Sequence, residues 1–246
     1  MSNDDKLKVR QTVSKKNSFK ELTIIRDIIF WIDVDGEGQN ENAIFARPFN
    51  EKEALPQRLT SKKYYIKNNF HGYGGKSYKC INFKNKFYLI WIDQITKAVW
   101  FQIFQELELN DKSQNKYLDS VQEPRQLSKS IDGNFDSSFV ISQKFFLYGI
   151  CEINNRDYLF SLDLKKTKQD IYRIKKFKNF AGELSSNTSA SLLSWIEWDS
   201  PYMPWEKNDL CFAQIELDGE IKKIKKFSNK LINAKKNVSF FQPLLD

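Results

Sequence analysis

From Leu22 onward the chain is built of short apolar runs of strand length, separated by polar loops rich in Asn, Asp, Ser and Lys. The runs are dominated by Ile, Leu, Phe, Tyr and Trp, side chains that suit a pleated, half-buried surface. No long stretch keeps the 3.6-residue period of an amphipathic helix. The runs also repeat. Ile29–Asp33, Leu89–Asp93, Leu147–Glu152 and Leu193–Glu197 occupy equivalent places, with central residues 60, 58 and 46 apart. Each is followed by a second apolar run (Ala43–Arg47, Ala98–Gln102, Tyr158–Leu162, Leu210–Ile215) and then by a more polar one. In the polar runs the residues themselves recur: Pro56–Thr60 echoes Pro124–Ser128, and Ile171–Phe177 echoes Ile221–Phe227. A fourth run precedes the central one, as in Ser77–Asn82 and Ser138–Ser142.

Four strands per unit at this spacing predict an all-β chain, a β-propeller of about four four-stranded blades over roughly 19–60, 77–128, 136–177 and 180–227. Residues 1–18 are polar and read as a tail. Val238–Pro243 opens like the first strand of a further blade spanning 238–246, so residues 19–246 are expected to form a partial propeller, an open ring with an unpaired blade edge. The outer runs 171–180 and 221–236 are rich in lysine, a device that keeps exposed strand edges from pairing with other molecules.

Composition changes this picture little. The chain has 246 residues, of which 20 are Phe, 10 Tyr and 6 Trp, against 9 Gly and 6 Pro, so turns must rely on Asn, Asp and Ser. The net charge of +8 raises the question of nucleic acid. Its source is 32 lysines against 7 arginines, whereas bidentate recognition of phosphate or guanine favours arginine; the charge therefore reads as a solvated surface. Cys80, Cys151 and Cys211 are far apart, each within an apolar run, which fits buried thiols in a reducing cytoplasm rather than a disulfide or zinc framework. No apolar run reaches membrane-spanning length and Met1–Phe19 has no signal-peptide core, so a cytoplasmic protein is expected.

Several motifs suggest chemistry and fall short of it. Gly72–Ser77 ends like a phosphate-binding loop, but its required first glycine would fall at Phe70, and strands follow it. Asp33–Gly38 begins like a calcium loop, yet position 12 is Ile44. His71 is the single histidine, in a glycine-rich loop with no evident partner, and no Gly-x-Ser-x-Gly elbow occurs. Glu197 and Asp199 are paired carboxylates whose side chains share a face by strand alternation, next to Trp198. No catalytic residue, metal site or cofactor site is expected.

Two stretches resemble a known family. Phe70–Gly75 resembles the His-Glu-Tyr-Gly-Gly loop, and Leu193–Trp205 the Leu-Ala-Trp-Leu-Glu-Trp-Asp-His-Pro-Asn-Met-Pro-Trp stretch, of the N-terminal propeller of acylaminoacyl-peptidase and dipeptidyl-peptidase-like serine peptidases, in the prolyl oligopeptidase family. Ile29–Asp33 and Phe241–Pro243 resemble further blade-opening strands of that propeller. In two places the chain departs: Gly72 stands where the family has glutamate, and Ser200 where it has histidine. The resemblance implies a truncated portion, lacking the α/β-hydrolase domain and its triad, that in the full-length enzyme gates the entry of peptides and by itself hydrolyses nothing. It directs attention to His71, Tyr73, Glu197, Trp198, Asp199, Met203 and Trp205 as substrate or interdomain residues. The expected partners are a separately encoded hydrolase domain or another protein at the exposed blade edge. The alternative is a stand-alone propeller acting as a protein-interaction scaffold.

Overall fold

A computed structural model describes residues 20–34, 42–51, 53–107, 116–216, 219–227 and 239–240. The polar tail, the acidic turn after Val34 and Phe241–Pro243 lie outside these residues. The described residues form 18 β-strands and a single 3-10 turn, with no α-helix. The strands make four antiparallel sheets, each a propeller blade, so the chain is all-β as its repeating pattern predicts.

Two compact units are present, Met1–Ile66 with Glu108–Tyr117, and Lys67–Leu107 with Leu118–Asp246. The first holds one sheet in the order β1 (Lys20–Ile25), β2 (Ile28–Val34), β3 (Asn42–Pro48), β4 (Gln57–Arg58). Its central strand is buried through Phe30, Trp31 and Ile32, with Trp31 stacked on Phe45 across the β2–β3 pair.

The second unit holds three sheets. One consists of β5 (Tyr78–Phe83), β6 (Lys86–Asp93), β7 (Ala98–Glu106) and β8 (Leu118–Ser120), with β9 (Arg125–Gln126) also on β7. The next runs β10 (Gly133–Phe135), β12 (Phe146–Ile153), β13 (Arg156–Asp163), β14 (Tyr172–Lys176), with β11 (Val140–Ile141) beside β10 on β12. The last is β15 (Phe180–Ser186), β16 (Leu192–Trp198), β17 (Asp209–Ile215), β18 (Ile221–Phe227). The opening strand expected at Ser138–Ser142 is thus two short pieces, β10 and β11, because Asp136 interrupts the run and turns its carboxylate back onto Ser138.

Strand alternation explains how the third sheet is held. Along β12, Leu147, Cys151 and Ile153 enter a core shared with Ile90, Ile92 and Phe101 of the second sheet, while Tyr148 and Ile150 enter one shared with Leu193 and Trp195 of the fourth. Both faces are buried, so β12 is a continuous apolar run rather than an alternating one. At its centre, where β2, β6 and β16 carry Trp, this strand carries Gly149; an added Cβ would lie 2.8 Å from the Phe160 ring. Phe160 and Phe139 fill the space a tryptophan takes in the other blades. Burying each such aromatic stabilises the fold by roughly 1.5–3 kcal/mol.

Candidate functional site

The loop ahead of β5 carries His71 and is braced by Asn68. Asn68 Oδ1 accepts the Phe70 N–H at 3.0 Å, and Asn68 Nδ2 donates to the Lys76 carbonyl at 2.9 Å. Within the 3-10 turn Phe70–Gly72, His71 adopts a left-handed backbone (φ 49°), a conformation uncommon for residues other than glycine. The turn rests on the third sheet, where the His71 N–H donates to Glu152 Oε2 at 3.2 Å.

The histidine does have a partner, contrary to the expectation from its local sequence. His71 Nε2 lies 2.8 Å from Asp157 Oδ2, and the two side chains are only 4% and 2% exposed. Asp157 follows the Asn154–Asn155 turn at the start of β13, and its Oδ2 also accepts the Ala181 N–H of β15 at 2.8 Å. One carboxylate therefore ties a loop to the third and fourth sheets together. The imidazole is enclosed by rings: Phe70 at 3.8 Å, and Phe180 and Trp198 edge-on at 5.2 and 5.5 Å. Trp198 stacks in turn on Phe180 at 5.7 Å. Nearby, Asp136 spans the same two sheets by accepting from Ser138 and from the Glu183 N–H. Burial pushes its carboxyl above the usual range, against the opposing hydrogen bonds from Ser138.

The two stretches singled out in the sequence thus meet through His71 and Trp198. Tyr73 joins them edge-on, its ring centre 6.3 Å from that of the imidazole, and is itself 66% exposed. Glu197 belongs to the opposite face of β16, with Trp195. It accepts from Trp195 Nε1 at 2.9 Å and from Lys175, and pairs with Lys226, which also holds Asp209 at 2.7 Å. Burial alone would raise the Glu197 carboxyl; the Lys175 and Trp195 hydrogen bonds and the two lysine charges outweigh it and hold the group below the usual range. Asp199, more exposed, is bound by Asn179 and Lys178. The two carboxylates are therefore each engaged with lysine or amide groups, an arrangement of ion pairs rather than of acid and base.

Met203 and Trp205 lie on the turn that follows. The Met203 N–H donates to Glu206 Oε2 at 2.8 Å, and the Met203 carbonyl accepts the Glu206 N–H at 2.9 Å. Trp205 is 58% exposed. Beneath the turn, the buried Asn208 donates to the Pro204 and Phe240 carbonyls at 2.8 and 2.7 Å and accepts the Phe240 N–H at 2.7 Å. Asp157 and Asn208 are the site residues that sequence reasoning missed. Asp157 left no trace in the pattern of apolar runs, because it lies at the turn end of β13, just after Asn154–Asn155, where an acid reads as ordinary turn chemistry.

Chemically, the His71–Asp157 pair has the spacing of a base and its orienting carboxylate, but aromatic rings and burial close it off, which suits an anchor for the loop. The thiols offer no nucleophile either: burial pushes those of Cys80 and Cys151 far up and that of Cys211 up to about 12, so they remain protonated near neutral pH. Among the described residues no group of three or more His, Cys, Asp or Glu side chains is placed to hold a metal ion, and no helix is long and apolar enough to cross a membrane.

Blades of this kind, with a loop locked over two of them, define a segment of a β-propeller. No protein-family model and no curated protein matches the chain. Solved structures do match. The chain is similar to puromycin hydrolase (TM-score 0.66, 14% identity, covering 86% of this chain and 32% of that one). It is likewise similar to a puromycin-hydrolyzing peptidase of Mycobacterium tuberculosis (TM-score 0.64, 16% identity, covering 85% and 32%). At these identities the likeness is one of fold, and the chain spans about a third of the length of those proteins.

Proposed function

We propose that this chain is a propeller portion of a serine peptidase of the prolyl oligopeptidase family, serving to gate and admit peptides, and that by itself it does not hydrolyse them. The observation that carries this reading is the packing of Trp198 against His71 at 5.5 Å. It joins the two stretches on which the family resemblance rests, remote in sequence, into one structural unit. The fold shared with two puromycin-cleaving proteins supports the same reading. Absence of a Gly-x-Ser-x-Gly elbow from the sequence supports the non-catalytic half of it.

The departure at Gly72 fits a portion modified from the family pattern. Gly72 has φ 79° and open space where a side chain would project, so a glutamate there would find room but a strained backbone. The purified chain should show no turnover of aminoacyl-p-nitroanilides or puromycin and no covalent labelling by a fluorophosphonate. Turnover that copurifies with the chain and is abolished by the fluorophosphonate would overturn the proposal.

A further inference from the structure

Away from the His71 loop, a groove of about 410 Å³ opens between the second and third sheets. Its walls are aromatic and aliphatic: Tyr88, Phe101 and Ile103 from the second sheet, and Phe145 and Leu164, which flank β12 and β13 of the third. The rings pack edge-on and tilted, Phe83 against Tyr88 and Phe145 at 5.6 and 5.5 Å, and Tyr88 against Phe101 at 5.8 Å. Its size falls within the usual range for small-ligand sites, about 300–1,000 Å³, as does its character of apolar walls with a few placed polar groups.

The charged groups all carry one sign. Arg125 and Lys165 line the groove, Lys84 Nζ sits 4.6 Å from the centre of the Phe145 ring, and no carboxylate is among the lining residues. The Arg125 guanidinium lies over Phe101 at 5.3 Å and donates through Nη2 to the Leu164 carbonyl, while its buried Nε–H has no hydrogen-bond partner. A buried donor left in this state is costly, and a planar guanidinium is suited to a carboxylate. Phe145 adds an independent mark. It has φ 65°, a left-handed backbone that is strained for a bulky side chain, and such strain concentrates at functional sites. A glycine would relieve the turn, yet the position presents a ring to the groove.

We propose that this groove binds the C-terminal end of a peptide whose last residue is aromatic, with the ring among Tyr88, Phe101 and Phe145 and the terminal carboxylate facing Arg125, Lys84 and Lys165. The aromatic walls require a large apolar side chain, and the uniformly cationic rim requires an anion attached to it. A terminal aromatic residue supplies both in one unit. Burial raises the Tyr88 hydroxyl further above neutral pH, which keeps it protonated and able to donate.

The test is fluorescence anisotropy of the full chain with a labelled Ser-Gly-Ser-Phe peptide, free at its C-terminus, against the same peptide amidated and one ending in Ser. The free Phe peptide should bind at least about tenfold more tightly than either, a difference of about 1.4 kcal/mol. Phe145→Gly, which removes the ring and relieves the left-handed backbone, should reduce binding about tenfold while circular dichroism shows the parent's fold retained. Lys165→Gln, at an exposed position, should weaken the free peptide and leave the amide unchanged. Equal affinity for acid and amide, binding unaltered in Phe145→Gly, or no saturable binding of the free Phe peptide would overturn the assignment. None of these outcomes depends on whether the chain hydrolyses peptides.

Discussion

The His71 loop and the Pro201–Trp205 turn both belong to stretches that resemble one peptidase family, yet they are built in opposite ways. The loop turns its most distinctive residue inward, and His71 disappears beneath Phe180 and Trp198 with its polar edge fixed on Asp157. The turn hides its support, Asn208, and leaves Trp205 outside. The difference separates anchors from presented groups. His71, Trp198, Asp157 and Asn208 hold backbone in place, whereas Tyr73 and Trp205 leave most of their ring area in solvent.

Substitutions should divide along that line. Trp198→Ala should have the largest effect, costing about 3–4 kcal/mol in urea unfolding, because it removes a ring packed on both Phe180 and His71. Asp157→Ala should cost about 3 kcal/mol, since the Ala181 N–H and His71 would both be left buried without their acceptor; a loss below about 1 kcal/mol would show the pair to be incidental. Glu197→Gln should act through pH. The folded carboxyl titrates below its ordinary value, so its contribution is present above about pH 4.5 and is lost as pH falls through the lowered folded value. The parent and Glu197→Gln should therefore differ in stability at pH 7 and converge on acidification; a gap that widens in acid would reverse the sign. Trp205→Ala should be smallest, within about 0.5 kcal/mol of the parent. If Trp205 instead proved as costly as Trp198, the distinction between anchors and presented groups would fail.

The sequence made the blades legible because β12 and its counterparts are buried on one or both faces, so their apolar runs are long enough to superpose. It made the short strands hard to see. β10 and β11 hold only a few residues each, and what joins them to β12 is the hydrogen bonding of Asp136 and Ser138, which has no periodicity to detect. In the site, Trp198 and His71 were visible as motif residues, but their contact was not, because it depends on two sheets meeting. Glu197 and Asp199 looked like a pair of acids; only the arrival of Lys175, Lys226, Lys178 and Asn179 from β14, β18 and the β14–β15 connection shows that they are bound separately. Asp157 was not legible, since an acid directly after the Asn154–Asn155 turn reads as loop chemistry until the His71 loop and the Ala181 N–H close on it.

The His71 loop and the Trp198 stretch form one packed unit. A double-mutant cycle between His71→Ala and Trp198→Ala, followed by urea unfolding, tests it most directly. A coupling of about 1 kcal/mol or more is expected, because either substitution alone already dismantles the shared contact; strictly additive losses, with coupling below about 0.3 kcal/mol, would show that the two stretches are not one unit.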